Sequence, residues 1–364
     1  MTAGRRAARA AVFCALVSTG VLATEPQPPS RRVEDVRLIR QARAVYAAPV
    51  LAARLEALGR RFDGQVGIAV SDVEQGWTAA YNGDAKLPQQ SVSKLWVVLA
   101  ILDSVDRGEL SLDDRITVRK QDLSIFHQPL RKFVGASGYD TTVRELLAGA
   151  IQQSDNAAND VLLAQVGGPD RVRAVLARHR IGGITPSPSE KVMQTEAAGL
   201  TWRDEFSFGR NFWTARDELP LEFRAVALES YLANPPDAAT AVGLSEALAR
   251  LKRGELLSRA STDLMIELMT GTVTGPARLP AGLPADWQIA HKTGTGQVFG
   301  PVATGFNDVA LITAPDGQTY AVVVMIAQTR LGVPERQAFM AQVAREVVAQ
   351  HERDQIRVTP GFNP

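Results

Sequence analysis

One cysteine, Cys14, is all the thiol that this 364-residue chain carries, and it lies in an apolar run near the N-terminus. With no other thiol the protein is not a cysteine hydrolase, a zinc-thiolate protein or a disulfide-stapled scaffold, so its stability must come from a core. Histidine is almost as scarce. His127, His179, His291 and His351 show no metal-ligand spacing, so no metal site or cofactor is expected. Charge of one sign is also missing: 40 basic residues face 39 acidic ones, which leaves no field to favour nucleic acid or an anionic membrane. Nor is there a long hydrophobic run. Ala10 to Ala23 is too short to span a bilayer stably, and behind the basic residues of the first nine positions it reads as a secretion signal. Val21-Leu22-Ala23 offers small residues for cleavage, giving a mature chain from near Thr24, periplasmic or secreted and without a membrane span.

What is present is enough apolar sequence, 45%, to bury a substantial core. Residues 24–48 read as a Pro-rich and then Arg-rich linker or lead-in, 49–352 as the main domain and 353–364 as a tail. Gln65 to Ser71 and Thr78 to Tyr81 predict a hairpin. Ser91 to Asp103 predicts a helix apolar nearly all round, which belongs inside a protein. Helical patterns follow at Thr142 to Gln152, Ala157 to Gln165, Asp170 to His179 and Val242 to Arg253. Strands return at Gln288 to Lys292, Asn307 to Thr313 and Tyr320 to Gln328, and a helix from Pro334 to about Gln350 closes the pattern. This order predicts an α/β chain of the α+β kind. A five-stranded antiparallel sheet would be flanked by terminal helices, with an all-α lobe over about 91–245 inserted.

Three short motifs carry chemistry. Ser91-Val92-Ser93-Lys94 sets a hydroxyl and an amine on one helix face, one turn apart. A serine hydroxyl needs a base to become a nucleophile, and an amine in an apolar helix has its charged form disfavoured, which suits it to that task. Ser154-Asp155-Asn156 lies between two helical stretches, and Lys292-Thr293-Gly294-Thr295-Gly296 ends a strand. Any one of them alone is a common helix cap or turn; the three in this order are rare by chance. No Gly-x-Ser-x-Gly elbow surrounds Ser91, so a Ser-His-Asp triad is not supported.

This ordered set resembles the active-site motifs of class A β-lactamases and penicillin-binding proteins. The likeness continues through Leu87-Pro88-Gln89-Gln90, Gly167-Gly168-Pro169, Arg253-Gly254-Glu255-Leu256-Leu257-Ser258 and Gly282-Leu283-Pro284-Ala285-Asp286-Trp287, and covers about Pro49 to His351. The resemblance implies that Ser91 is acylated, that Lys94 takes or relays its proton, and that Ser154 passes a proton to the leaving nitrogen. It further implies that Asn156 binds the substrate's side-chain amide. Lys292, Thr293, Gly294 and Thr295 would hold its carboxylate, with the amides of Ser91 and Thr295 as the oxyanion hole. The deacylating acid would be Glu190, in Glu190-Lys191-Val192-Met193-Gln194, with Gln194 as second partner of the hydrolytic water and Glu196 as rival.

Departures from the family pattern are informative. Pro188 stands where the family has an arginine paired with the aspartate matching Asp237, so that omega-loop ion pair is expected to be lost. Gln297-Val298-Phe299-Gly300-Pro301 lacks the usual second cation, so carboxylate binding should be weaker or borrow an arginine from elsewhere; Asn307-Asp308 is similar to a subset of the family without it. Phe126 or His127 reads either as an aromatic gate opposite the pocket or as a lobe-packing residue. About 195–233 forms an insertion holding about a third of the chain's aromatics, Trp202, Phe206, Phe208, Phe212, Trp213, Phe223 and Tyr231, and reads as a packed subdomain, either plain packing or a substrate-selecting wall. The expected partner is a β-lactam or a peptidoglycan stem peptide, and the expected state a monomer. The alternatives to a lactamase are a D-alanyl-D-alanine peptidase and a non-turnover β-lactam sensor or trap.

Overall fold

The computed structural model describes residues 48–356; the signal segment, nearly all of the lead-in and most of the tail lie outside the described residues. A helix ending at residue 61 (α1) runs into the hairpin of β1 (Gly64–Asp72) and β2 (Thr78–Tyr81). The sheet is completed from the far end of the chain by β3 (Gln288–Thr295), β4 (Val302–Thr313) and β5 (Thr319–Thr329), in the antiparallel order β2-β1-β5-β4-β3. A two-residue strand, Val298–Phe299, folds back onto β4 as a sixth member. β4 starts five residues before the position the sequence suggests. Gly305 is a weak strand former and hid its first half; the pairing with β5 skips Gly305 and resumes in the same register at Thr304 and Ala303.

Residues alternate across this sheet, as a period of two requires. Ile68, Val70, Val322, Val324 and Ile326 face Leu51 and Leu55 of α1 and Met340, Val343 and Val347 of the closing helix. Ala69, Val309, Leu311, Val323 and Met325 face the helical lobe. That lobe contains, in chain order, α2 (Lys94–Asp106), α3 (Val143–Gln152), α4 (Asn156–Gln165), α5 (Gly168–Arg178), α6 (Glu190–Ala197), α7 (Asn211–Glu218), α8 (Leu221–Ala233), α9 (Ala241–Lys252) and α10 (Arg259–Thr270); α11 (Val333–Ile356) closes the chain. It is not purely helical. Arg115–Val118 and Tyr139–Thr142, rich in β-branched residues, pair as a small antiparallel ribbon, and Leu87–Pro88 pairs with Ala238–Ala239.

The predicted helix over 91–103 is split. Gln90–Ser93 forms a tight 3₁₀ turn, and α2 proper begins at Lys94. Every residue from Lys94 to Ser104 is buried, and the helix packs against α3, α4, α5 and α10, so it is the axle of the lobe. Among the described residues no helix is long and apolar enough to cross a membrane. Because Leu99 is fully buried in α2, Leu99→Ala is expected to lower the unfolding free energy by about 3 kcal/mol, read as a shifted urea midpoint at unchanged slope.

Candidate active site

Three segments remote in sequence meet at the end of α2. Three residues per 3₁₀ turn put Ser91 and Lys94 in one column, and Lys94 Nζ donates to Ser91 Oγ at 2.6 Å. The same ammonium donates to Asn156 Oδ1 at 2.9 Å and to Glu190 Oε1 in a buried ion pair. A lysine has three N–H donors, and all three are used here. Neither member of the pair has more than 1% of its side chain exposed. Stripping water from two such charges costs several kcal/mol each, which their mutual attraction and the added hydrogen bonds must offset. The sequence suggested a desolvated amine standing alone; the structure sets a carboxylate against it.

The Ser-Asp-Asn segment serves both of its readings. Asp155 caps α4, its carboxylate accepting from Ala158 N at 3.0 Å and Leu130 N at 2.6 Å. Ser154 and Asn156 line the pocket. On the opposite side β3 carries Lys292, fully buried, whose Nζ donates to Ser154 Oγ at 2.9 Å. Burial, and then the nearby Lys94 charge, pushes the Lys292 amine well below the ordinary lysine range. Gly294 makes the approach of β3 possible, because a Cβ there would lie 2.4 Å from the Gln89 carbonyl oxygen. Gln90 (φ 53°), Phe126 (φ 59°) and Ser154 (φ 59°) are three of the five described non-glycine residues with left-handed backbone, so strain is concentrated around this pocket.

The pocket, about 220 Å³, is lined by Ser91, Ser154, Asn156, Glu190, Thr293 and Thr295, with Phe126, His127 and Gln194 also on its wall. Glu190 opens α6 and is buried, whereas Glu196 on the same helix is exposed, so only the former reaches Lys94. Gln194 Nε2 donates to Gln90 Oε1 at 2.8 Å and Glu190 Oε2 at 3.3 Å, while its Oε1 accepts from Gln297. Its amide is thus tied into the protein and holds the Glu190 carboxylate in place.

Other residues at the site were not evident from sequence. Arg278 lines the pocket, donates to Thr295 Oγ1 at 2.6 Å and stacks on Phe306 at 3.7 Å. Burial pulls its guanidinium down to about 10, still cationic at neutral pH; the missing second cation was the signal that such a residue had to exist. The lost ion pair of Asp237 is also replaced. Its carboxylate accepts from Gln90 N at 2.6 Å and from the Tyr231 hydroxyl at 3.2 Å, and Tyr231 in turn accepts from the Gln90 side chain. The insertion therefore supplies, through α8, the donor that Pro188 cannot. Trp202, Phe206, Phe212 and Trp213 pack with Ile125 and Phe126, and Phe126 stacks on Trp213 of α7 at 5.3 Å, whereas Phe208 and Phe223 are exposed. Among the described residues no group of three or more His, Cys, Asp and Glu side chains is placed to hold a metal ion.

Behind Glu190, Asp160 of α4 accepts from Glu190 N at 2.7 Å, Lys191 N at 3.2 Å and Ser124 Oγ at 2.7 Å. Burial first, and the charge of Glu190 second, push its carboxyl up to about 6 from 3.8. A raised folded-state value means the stability it contributes is full below about pH 4 and is lost as pH rises through about 6. Asp160→Asn has no such loss. Relative to wild type its unfolding free energy is expected to gain up to about 3 kcal/mol between pH 4 and pH 7, measured by denaturant unfolding at both; an unchanged gap contradicts the assignment.

The sequence and fold of this chain are similar to those of known proteins. The model of the Beta-lactamase enzyme family matches residues 50–351. The chain is 26% identical over 280 residues to beta-lactamase VEB-1 of Pseudomonas aeruginosa, covering 77% of this chain and 83% of that protein. It is 27% identical over 299 residues to the extended-spectrum beta-lactamase PER-1 of the same organism, covering 82% and 86%. Among solved structures, the class A beta-lactamase of the last common ancestor of Gram-negative bacteria (GNCA4) superposes with a TM-score of 0.65 at 31% identity, covering 83% of this chain and 99% of that one. With the family model spanning most of its length and the fold shared throughout, this chain belongs to the beta-lactamase enzyme family, on its class A serine branch.

Proposed function

We propose that the protein hydrolyses β-lactams through an acyl-enzyme on Ser91 and that Glu190 activates the water that removes it. The observation that carries this reading is the position of Lys94 Nζ, bonded at once to the Ser91 hydroxyl and to the Glu190 carboxylate. As Ser91 Oγ bonds to the lactam carbonyl carbon, its proton passes to Lys94 and a proton of Lys94 passes to Glu190, so the negative charge moves from the carboxylate to the oxyanion and the net charge of the site is unchanged. The ring C–N bond then breaks. The nitrogen takes its proton from Ser154, whose hydroxyl is polarised by the adjacent Lys292, and the proton held by Glu190 returns by way of Lys94 to replace it, leaving Glu190 a carboxylate. In the second half Glu190, again a carboxylate, takes a proton from the water that attacks the acyl carbon, and that proton is passed by way of Lys94 to Ser91 Oγ as the ester C–O bond breaks.

The other expected contacts fit the same pose. Asn156 faces the side-chain amide, and the amides of Ser91 and Thr295 stabilise the oxyanion. Thr293, Thr295 and Arg278 form the carboxylate corner, with Arg278 as the cation that the segment after β3 does not provide. Export through the N-terminal signal places this activity in the periplasm or outside the cell, where a β-lactam is met.

The deciding experiment is a time course of intact mass with benzylpenicillin. Wild type is expected to show an adduct that appears briefly and vanishes as product accumulates. A lasting adduct would favour a peptidase or a trap and overturn the lactamase reading. Glu190→Gln, which keeps the side-chain volume beside Lys94, is expected to accumulate the adduct with kcat lowered by at least about a hundredfold; turnover near the wild-type rate would remove Glu190 from the mechanism. Arg278→Gln is expected to raise KM for a penicillin by about tenfold with kcat nearly kept, checked by steady-state kinetics at two salt concentrations.

A further inference from the structure

The insertion carries an arrangement that the catalytic reading leaves unused. Arg216, at the end of α7, stacks on Trp213 at 4.6 Å, and Trp213 stacks on the pocket residue Phe126. Arg224, on α8, lies over Phe299 at 5.2 Å, four residues beyond Thr295. The two arginines sit beside each other. Burial, and then the Arg224 charge, pushes the Arg216 guanidinium below its ordinary value. Their shared acid is Asp217, whose Oδ1 is 3.7 Å from both, beyond hydrogen-bond distance, and whose side chain is 58% exposed. The Nε of each arginine is buried and has no hydrogen-bond partner among the described residues.

Two arginines held together share one half-exposed acid, so the pair keeps a net positive charge that Asp217 alone does not balance. Ring contacts link it on one side to the pocket wall and on the other to the hairpin that follows β3. The geometry points to Arg216 and Arg224 as a second anion subsite that receives a carboxylate at the end of a flexible acyl side chain of the substrate. This selects β-lactams with a dicarboxylate character, the ring carboxylate going to the Arg278 corner and the distal one to the arginine pair. The inference rests on the reading of the pocket as a β-lactam site, but the subsite is testable without turnover.

Two probes separate the two ideas. The first is a matched pair of penicillins, one with a glutaryl side chain ending in a free carboxylate and the other its methyl ester. Wild type is expected to favour the free acid by about tenfold in kcat/KM, with the preference shrinking as salt is raised. The double variant Arg216→Gln, Arg224→Gln is expected to lose that preference while hydrolysing the ester within about twofold of wild type. Arg216→Lys and Arg224→Lys, each keeping the charge, retain most of it. A wild-type ratio near one, an equal fall on both substrates, or loss of the preference in the lysine variants overturns the subsite. The second probe is glutarate alone, expected to raise the Tm of wild type more than that of the double variant; equal shifts overturn the subsite. If neither penicillin is turned over, the lactamase reading fails, and the glutarate comparison still decides the arginine pair.

Discussion

Everything at this site is organised around one buried ion pair. Lys94 lies at the first turn of the most buried helix of the molecule, and its ammonium is sustainable there only because Glu190 arrives from another segment to meet it. That requirement reaches outward. Glu190 opens α6, whose first amides are held by Asp160 of α4, and its carboxylate is steadied by Gln194, which is in turn tied to Gln90 and Gln297. Each tie limits where the carboxylate can stand relative to Ser91.

A second constraint is the closeness of the Lys292 strand to the serine turn. Gly294 permits backbone contact at Gln89, and Gly305 on β4, with φ 53°, leaves room for the Gln90 side chain. Asn307 fastens the same turn from below through the carbonyls of Pro88 and Gln89. The strained backbone at Gln90 is therefore gripped on several sides, which is how a left-handed non-glycine residue persists next to a nucleophile.

The insertion packs behind the pocket wall, against residues that line it. Tyr231 occupies the place left by a lost ion pair, and Trp213 with Phe212 props Phe126 in its left-handed conformation. These contacts give the extra helices a reason to be ordered: Phe212 of α7 and Tyr231 of α8 are buried against residues whose positions matter to the site.

Local chemistry alone sufficed for much of this protein. β-Branched and small residues on either side of a turn marked the hairpin, the all-apolar stretch after Ser91 marked a central helix, and the spacing of Ser91 and Lys94 announced that they touch, because each of these properties depends on residues a few positions apart. Boundaries were less legible where Gly305 masked half a strand, and where a 3₁₀ turn replaced the first turn of α2. That Glu190 and not Glu196 meets Lys94 depended on which face of α6 turns inward, and Arg278, Asp160 and Tyr231 had no local signature as site residues. Their roles come from contacts between segments far apart in the chain, and only burial in the folded molecule decides which charges must meet and which backbone must yield.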